Sequence, residues 1–147
     1  MFPSISYAIT THNESIKNLI DLLSKYKTDH DEIVILDDYS TNRETKSNIL
    51  RADVLVYKKL INDYACHKNI LFEFCTKDYI FQLDGDELPT EQLLKNIKNI
   101  ISKHKHIDLF FIPRENYFND VDFDQIKEKG FVSDDKLRVG YPDYQGR

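Results

Sequence analysis

Short apolar runs alternate with helix-period stretches along the first 113 residues, and this alternation limits the fold more than any other feature. Residues 4–10 (SISYAIT), 32–38 (EIVILDD), 52–58 (ADVLVYK), 78–84 (DYIFQLD) and 107–113 (IDLFFIP) each read as a strand. The run at 32–38 is nearly all apolar, as a strand covered on both faces should be. Between the first two runs, Ile16, Leu19, Ile20 and Leu23 fall at i, i+3, i+4 and i+7, with Ser15 as a candidate N-cap. Residues 41–51 are polar and only weakly helical. Residues 63–75 predict a helix with Cys66, Ile70 and Phe74 on one stripe. Thr90 stands where it can cap a further helix, whose stripe is Leu93, Leu94, Ile97, Ile100 and Ile101. The expected fold is α/β: a mostly parallel, Rossmann-like sheet with helices on both faces. The pattern stops at Pro113. Residues 1–113 are therefore expected to form the core, and residues 114–147, rich in Asp, Lys and aromatics, an irregular C-terminal segment.

Charge and cysteine content narrow the function. The chain has 147 residues, enough for one domain with a real core, and a net charge of −5. That balance argues against non-specific nucleic-acid binding, which needs a basic face. No run of 18 apolar residues suggests a transmembrane helix, and the start, MFPSISYAITTHNE, lacks a signal-peptide pattern. Cys66 and Cys75 have no CxxC spacing and are expected as reduced, partly buried thiols of a cytoplasmic protein. His104 and His106 read as surface residues.

In an open parallel sheet, ligands bind beyond the carboxyl ends of the strands. Three polar clusters fall at those ends: TTHNE (residues 10–14), DDYS (37–40) and DGDE (84–87). The last sets three acids within four residues where a buried strand should end. Two carboxylates about 5 Å apart at an effective dielectric near 20 repel by about 3 kcal/mol, so something should offset them. Solvation on an open turn is one answer. A divalent cation is the other: Mg²⁺ or Mn²⁺ is typically held by one or two carboxylates plus substrate phosphates. Asp84 and Asp86 would supply the carboxylates, with Gly85 leaving room for the backbone to bend. Asp37 and Asp38 either accept hydrogen bonds from a base or ribose or merely shape a turn. His12 and Asn13 either line the same pocket or cap the first helix.

The order ISYAITTHNE, EIVILDDYS, DYIFQLDGDE resembles the nucleotide-sugar-binding half of family-2 glycosyltransferases of the GT-A fold. The stretch NDYACHKNILFEFCTKDYIFQLDGDELP resembles a branch with an Asp-aromatic-Ala…Arg-Asn helix, found in bacterial surface-polysaccharide and lipopolysaccharide-core enzymes. The closing YPDYQGR is similar to the Pro-Asp-x-Gln-x-Arg stretch of that branch. The resemblance implies a metal-dependent, inverting transfer of sugar from a nucleotide-diphosphate donor, commonly a UDP-sugar, to a glycan or other acceptor hydroxyl. It places Thr10, His12 and Glu14 along the base and ribose, and Asp38 on the base. It sets Lys68 near the base or diphosphate and Asp84 on the ribose or metal. Asp86 would hold the Mn²⁺ or Mg²⁺ that bridges the diphosphate.

The chain departs from that pattern at three places. His12 stands where the family usually has Tyr, Lys68 where the branch usually has Arg, and Ile9-Thr10 where relatives often carry Pro. Lys68 loses the planar fork that grips phosphate bidentately. Relatives continue past the closing motif, so 114–147 is expected to be the start of a shortened acceptor-binding region, in which Asp143 is either the catalytic base or a turn residue after Pro142. The alternative to a transferase is a donor-binding module without transfer activity of its own. Tyr117, Phe118, Phe123 and Phe131 are candidates for a homo-oligomer contact. A phosphoacceptor receiver domain needs its acidic pair after the first strand, whereas here it follows the second. A dinucleotide-binding fold needs a Gly-rich loop, which four glycines in the whole chain do not form.

Overall fold

The computed structural model describes residues 2–115. Residues up to Ile107 form one compact unit, and a second begins at Asp108. Four strands, β1 (Ile5–Thr11), β2 (Glu32–Asp37), β3 (Val54–Tyr57) and β4 (Tyr79–Asp84), alternate with four helices, α1 (Lys17–Tyr26), α2 (Arg43–Ile49), α3 (Tyr64–Glu73) and α4 (Glu91–Lys103). The strands form one parallel sheet in the order β3-β2-β1-β4.

That order follows from the handedness of the connections. The chain steps outward from β1 to β2 to β3, and right-handed crossovers put α1 and α2 on one face. It then returns across β1 to reach β4, so the same handedness lands α3 on the opposite face. Ala8, Val34 and Leu36 meet Leu71 of α3 there, flanked by Val54, Val56, Ile70 and Phe72. The alternate residues Tyr7, Ile9, Ile33 and Ile35 are buried on the other face, as the pleat requires. Helix α1 contributes Leu19, Ile20 and Leu23 to the core and touches both α2 and α4, whose own buried stripe is Leu94, Ile97 and Ile101. Burial, with Asp31 nearby, pushes the Tyr7 hydroxyl up to about 12.

Several local expectations change. Residues 107–113 join no strand among the described residues; Leu109 and Phe111 are exposed. An apolar run becomes a strand only when a neighbour takes its N–H and C=O groups, and Pro113 has no N–H to give. Ser15 does not cap α1: the N-cap is Ile16, without a side-chain bond, and Ser15 Oγ donates to Glu44 at 2.7 Å. The weak segment at 41–51 contains a real helix, α2, because Asn42 accepts from the N–H groups of Glu44 and Thr45. The buried residues of α3 are His67 and Leu71, one position on from the expected stripe; Cys66 is exposed and Cys75 intermediate, both free. Thr90 caps α4 as expected, accepting from Leu93 N–H at 3.2 Å. Asp143 and the aromatics Tyr117, Phe118, Phe123 and Phe131 lie outside the described residues. No described helix is long and apolar enough to cross a membrane.

The amino edge of the sheet is stitched by carboxylates. Asp31 Oδ1 accepts from Ile5 N–H at 2.9 Å, and its Oδ2 accepts from Thr28 N–H at 2.7 Å and from Lys98 Nζ of α4 at 2.7 Å. Glu32 joins Ser6 Oγ of β1 to Thr76 N–H, each at 2.6 Å. Burial pushes the Asp31 carboxyl up, but the hydrogen bonds from Lys98, Thr28 and Ile5 outweigh it, and it ends below its usual 3.8. A carboxyl lowered by folding stabilises the protein above its unfolded pKa, and that contribution is lost as pH falls through the folded value. Asp31→Ala should therefore cost about 3 kcal/mol at pH 7, because Lys98 and Ile5 N–H lose a buried partner. In thermal melts between pH 7 and pH 2, the gap between wild type and variant should narrow below about pH 4. A gap that stays constant with pH would deny Asp31 this role.

Candidate functional site

The sheet order reverses between β1 and β4, and this switch point is where open α/β sheets leave a crevice at the carboxyl edge. Register sets the residues that flank it. Thr10 lies opposite Asp84, and Thr11 opposite Asp37. Thr10 and Asp84 share the α3 face of the sheet with Ala8, so Lys68 of α3 reaches the same place. Thr10 Oγ1 donates to Asp84 Oδ1 at 3.0 Å, and Lys68 Nζ lies 2.9 Å from the same oxygen. Two loops diverge on either side of this trio.

The DGDE turn is built on close approach. Gly85 N–H donates to Thr10 O at 2.9 Å, which carries the β1–β4 ladder one residue past the strand. A Cβ on Gly85 would meet Thr11 Oγ1 at 2.9 Å and Glu14 Oε2 at 3.0 Å. The glycine is thus required by space. Glu87 closes the turn by accepting from Asp84 N–H at 2.8 Å. Asp86 is exposed and makes no hydrogen bond or ion pair among the described residues.

The first two loops are locked together by Asn13. Its φ of 63° is left-handed, which Asn tolerates better than most residues. Its Oδ1 accepts from Thr41 N–H at 2.7 Å and Asn42 N–H at 2.8 Å, and its own N–H donates to Ser40 Oγ at 2.9 Å. Asn13 does not cap α1, whose N-cap is Ile16; it clamps the second loop instead. Glu14 folds back: its Oε2 accepts from Thr11 Oγ1 at 2.5 Å and from His12 N–H.

The acidic pair divides its work. Asp37 is buried, and both its oxygens accept from Ser40, so it shapes the turn. Asp38 stands at the edge. Its Oδ1 accepts from Leu60 N–H at 3.0 Å, and its carbonyl accepts from His12 Nδ1 at 2.7 Å. The second ring nitrogen of His12 takes a hydrogen bond from Asn13 Nδ2 at 3.3 Å, so the exposed imidazole is held at both ends. His67, which no sequence signal singled out, is buried beside this group. Burial pushes its imidazole below the ordinary value; Asp38 opposes that and Lys58 adds to it. His67 also lines a cavity of about 170 Å³ with Lys58, Ile61, Cys66 and Ile70.

Hard oxygen donors at Asp84 and Asp86 suit a divalent cation shared with phosphate oxygens. They do not suit an all-protein cage: no group of three His, Cys, Asp or Glu converges for a metal among the described residues.

A parallel α/β sheet with a polar cluster at this switch point is an arrangement that a GT-A fold shares. The solved structure of S. aureus TarS 1-349 is similar at a TM-score of 0.55 and 19% identity, covering 78% of this chain and 39% of that one. The SPbeta prophage-derived glycosyltransferase SunS of Bacillus subtilis (strain 168) and the glycosyltransferase SunS of Bacillus phage SPbeta are each 32% identical over 94 residues. The match covers 61% of this chain and 22% of those relatives, so the chain spans less than a quarter of their length. A family model for glycosyl transferase family 2 matches residues 6–143, and the chain belongs to that family.

Gly85→Ala tests the turn. The added methyl must displace Thr11, which is buried, or Glu14. The expected cost is about 1–3 kcal/mol, the usual range for overpacking, read as a fall in denaturation midpoint. An unchanged midpoint would show that the DGDE turn is not held against β1.

Proposed function

We propose that this chain binds a nucleoside diphosphate sugar, with uridine as its nucleoside, at the carboxyl edge of the sheet, and that it serves an inverting transfer to an acceptor hydroxyl. The reading rests foremost on the meeting of Thr10, Lys68 and Asp84 at the switch point, with Asp86 exposed two residues beyond. Asp38 would accept from the base. The fixed His12 ring would lie along the base and ribose, where the resemblance expects Tyr, and Thr10 and Glu14 would complete that wall. Asp37 would act indirectly, through the turn that presents Asp38.

Asp84 and Asp86 would hold Mn²⁺ or Mg²⁺ together with the diphosphate, and the ion, when bound, supplies charge neutralisation of the leaving group. Lys68 would place its ammonium on the same phosphates. The acceptor's proton would pass to a carboxylate, for which Asp143 is the candidate, and one displacement at the sugar carbon would invert its configuration. Two free cysteines fit a reducing compartment such as the cytoplasm. The acceptor class we favour is a glycan hydroxyl, as in surface-polysaccharide assembly.

Titration of the chain with UDP in MnCl₂, and again in EDTA, should give heats only, or far more strongly, with metal. Asp86→Ala should weaken UDP binding in MnCl₂ at least tenfold while its melting temperature stays within about a degree, since Asp86 holds nothing in the fold. Equal UDP heats with and without metal would remove the bridging role. A large loss of stability in Asp86→Ala with unchanged affinity would reassign Asp86 to the turn.

A further inference from the structure

Lys68 occupies one of the two oxygen sites that a cation would need. Its Nζ lies 2.9 Å from Asp84 Oδ1, and the same oxygen accepts from Thr10 Oγ1 at 3.0 Å. Both side chains are only partly exposed, 26% for Lys68 and 33% for Asp84, so this is not a fully solvated surface pair. A divalent ion approaching Asp84 and Asp86 must displace the ammonium or bind beside a positive charge. Either way the site offers about one net negative charge instead of two.

Resting on the donor reading above, we propose that Lys68 makes cation and diphosphate binding cooperative. The ammonium guards Asp84 until a diphosphate arrives. The phosphate oxygens then offer Lys68 a stronger partner, and rotation about its side-chain bonds releases Asp84 to the ion. Each ligand removes an obstacle to the other, so each raises the other's affinity by the same factor. A lysine suits this role: it is a compact point charge on a flexible stem, whereas an arginine fork holds a carboxylate bidentately. The fold does not depend on the pair, because partly exposed ion pairs contribute little to stability.

The test is calorimetry on the full chain and on Lys68→Met, with MnCl₂ alone, UDP in EDTA, and both together, alongside thermal melts. Wild type should bind Mn²⁺ weakly without nucleotide, and UDP should raise that affinity at least tenfold. Lys68→Met should bind Mn²⁺ alone at least tenfold more tightly than wild type, bind UDP in EDTA at least fivefold more weakly, and lose most of the coupling. Lys68→Gln carries the same expectation if the Met variant melts early. Equal Mn²⁺ affinity in wild type and variant overturns the proposal. If wild type still binds UDP and Mn²⁺ together in that case, the donor reading stands and only the role of Lys68 falls. If neither chain binds UDP with Mn²⁺, both fall.

Discussion

The site depends on the register of one strand. β1 is hydrogen-bonded on both sides, and its two ladders set Thr10 against Asp84 and Thr11 against Asp37. Side chains alternate between faces, so a slip of one residue in either ladder would exchange the two faces of that pairing. Ala8 would leave the α3 face and Tyr7 would enter it. The small side chain of Ala8 is what lets α3 lie close, and the closeness of α3 is what brings Lys68 to Asp84. The ion pair at the switch point is thus a consequence of core packing two and three residues away. The ladder also runs past the strand, through Gly85 N–H to Thr10 O, and so fixes the direction in which Asp86 leaves the sheet.

Carboxylates serve both edges of the sheet in different ways. At the amino edge, the first N–H groups of parallel strands have no ladder partner, and acids supply one. Asp31 accepts from Ile5, Asp53 from Ile33, and Asp78 from Ser4. These bonds fasten the starts of β1 and β2 to neighbouring loops. At the carboxyl edge the strand carbonyls need no acids, and the acids there make other contacts. Asp37 and Glu14 are turned back onto loops, whereas Asp38 accepts from Leu60 N–H, Asp84 meets Thr10 and Lys68, and Asp86 is exposed. The same residue type therefore carries architecture at one edge and supplies a polar rim at the other.

This division explains what could be read in the sequence. The four strands and the helices α1 and α4 are legible because their apolar patterns are strong, α3 is legible only as a helix with a faint stripe, and the strand-end clusters are legible because a parallel sheet assigns them an edge. Asp37 and Asp38 are adjacent and chemically identical, so no local signal separates the buried turn former from the half-buried acceptor; the pleat and Ser40 decide. The helix α2 was faint because its stability comes from Asn42 and from contact with α1 instead of an apolar stripe. The offset in α3 has a similar cause. Cys66 reads as apolar, yet His67 is the residue buried, because the register of α3 on Ala8 and Leu36 is chosen by Leu71. The run at 107–113 shows the opposite error: composition marks a strand, but strand formation needs a partner that composition does not reveal.

Backbone strain follows the same geography. The three non-glycine residues with positive φ among the described residues are Asn13 at 63°, Tyr39 at 50° and Asn62 at 51°. One lies in each of the loops that follow β1, β2 and β3, all at the carboxyl edge. Asn accepts this conformation at modest cost, but a bulky residue such as Tyr39 is a true outlier, and such positions cost of order 1–3 kcal/mol each. They persist only where the surroundings over-determine them. Asn13 is held by three neighbours in the second loop. Tyr39 is held between Asp38, whose N–H donates to Thr11 O, and Ser40, whose hydroxyl donates to Asp37, while its ring leans on Tyr57 at 6.0 Å between centroids. At the first two loops these conformations accompany the contact between His12 and Asp38. The carboxylate bonds at the opposite edge, with the fully buried strand β2 between, give the fold the stability against which those conformations are maintained.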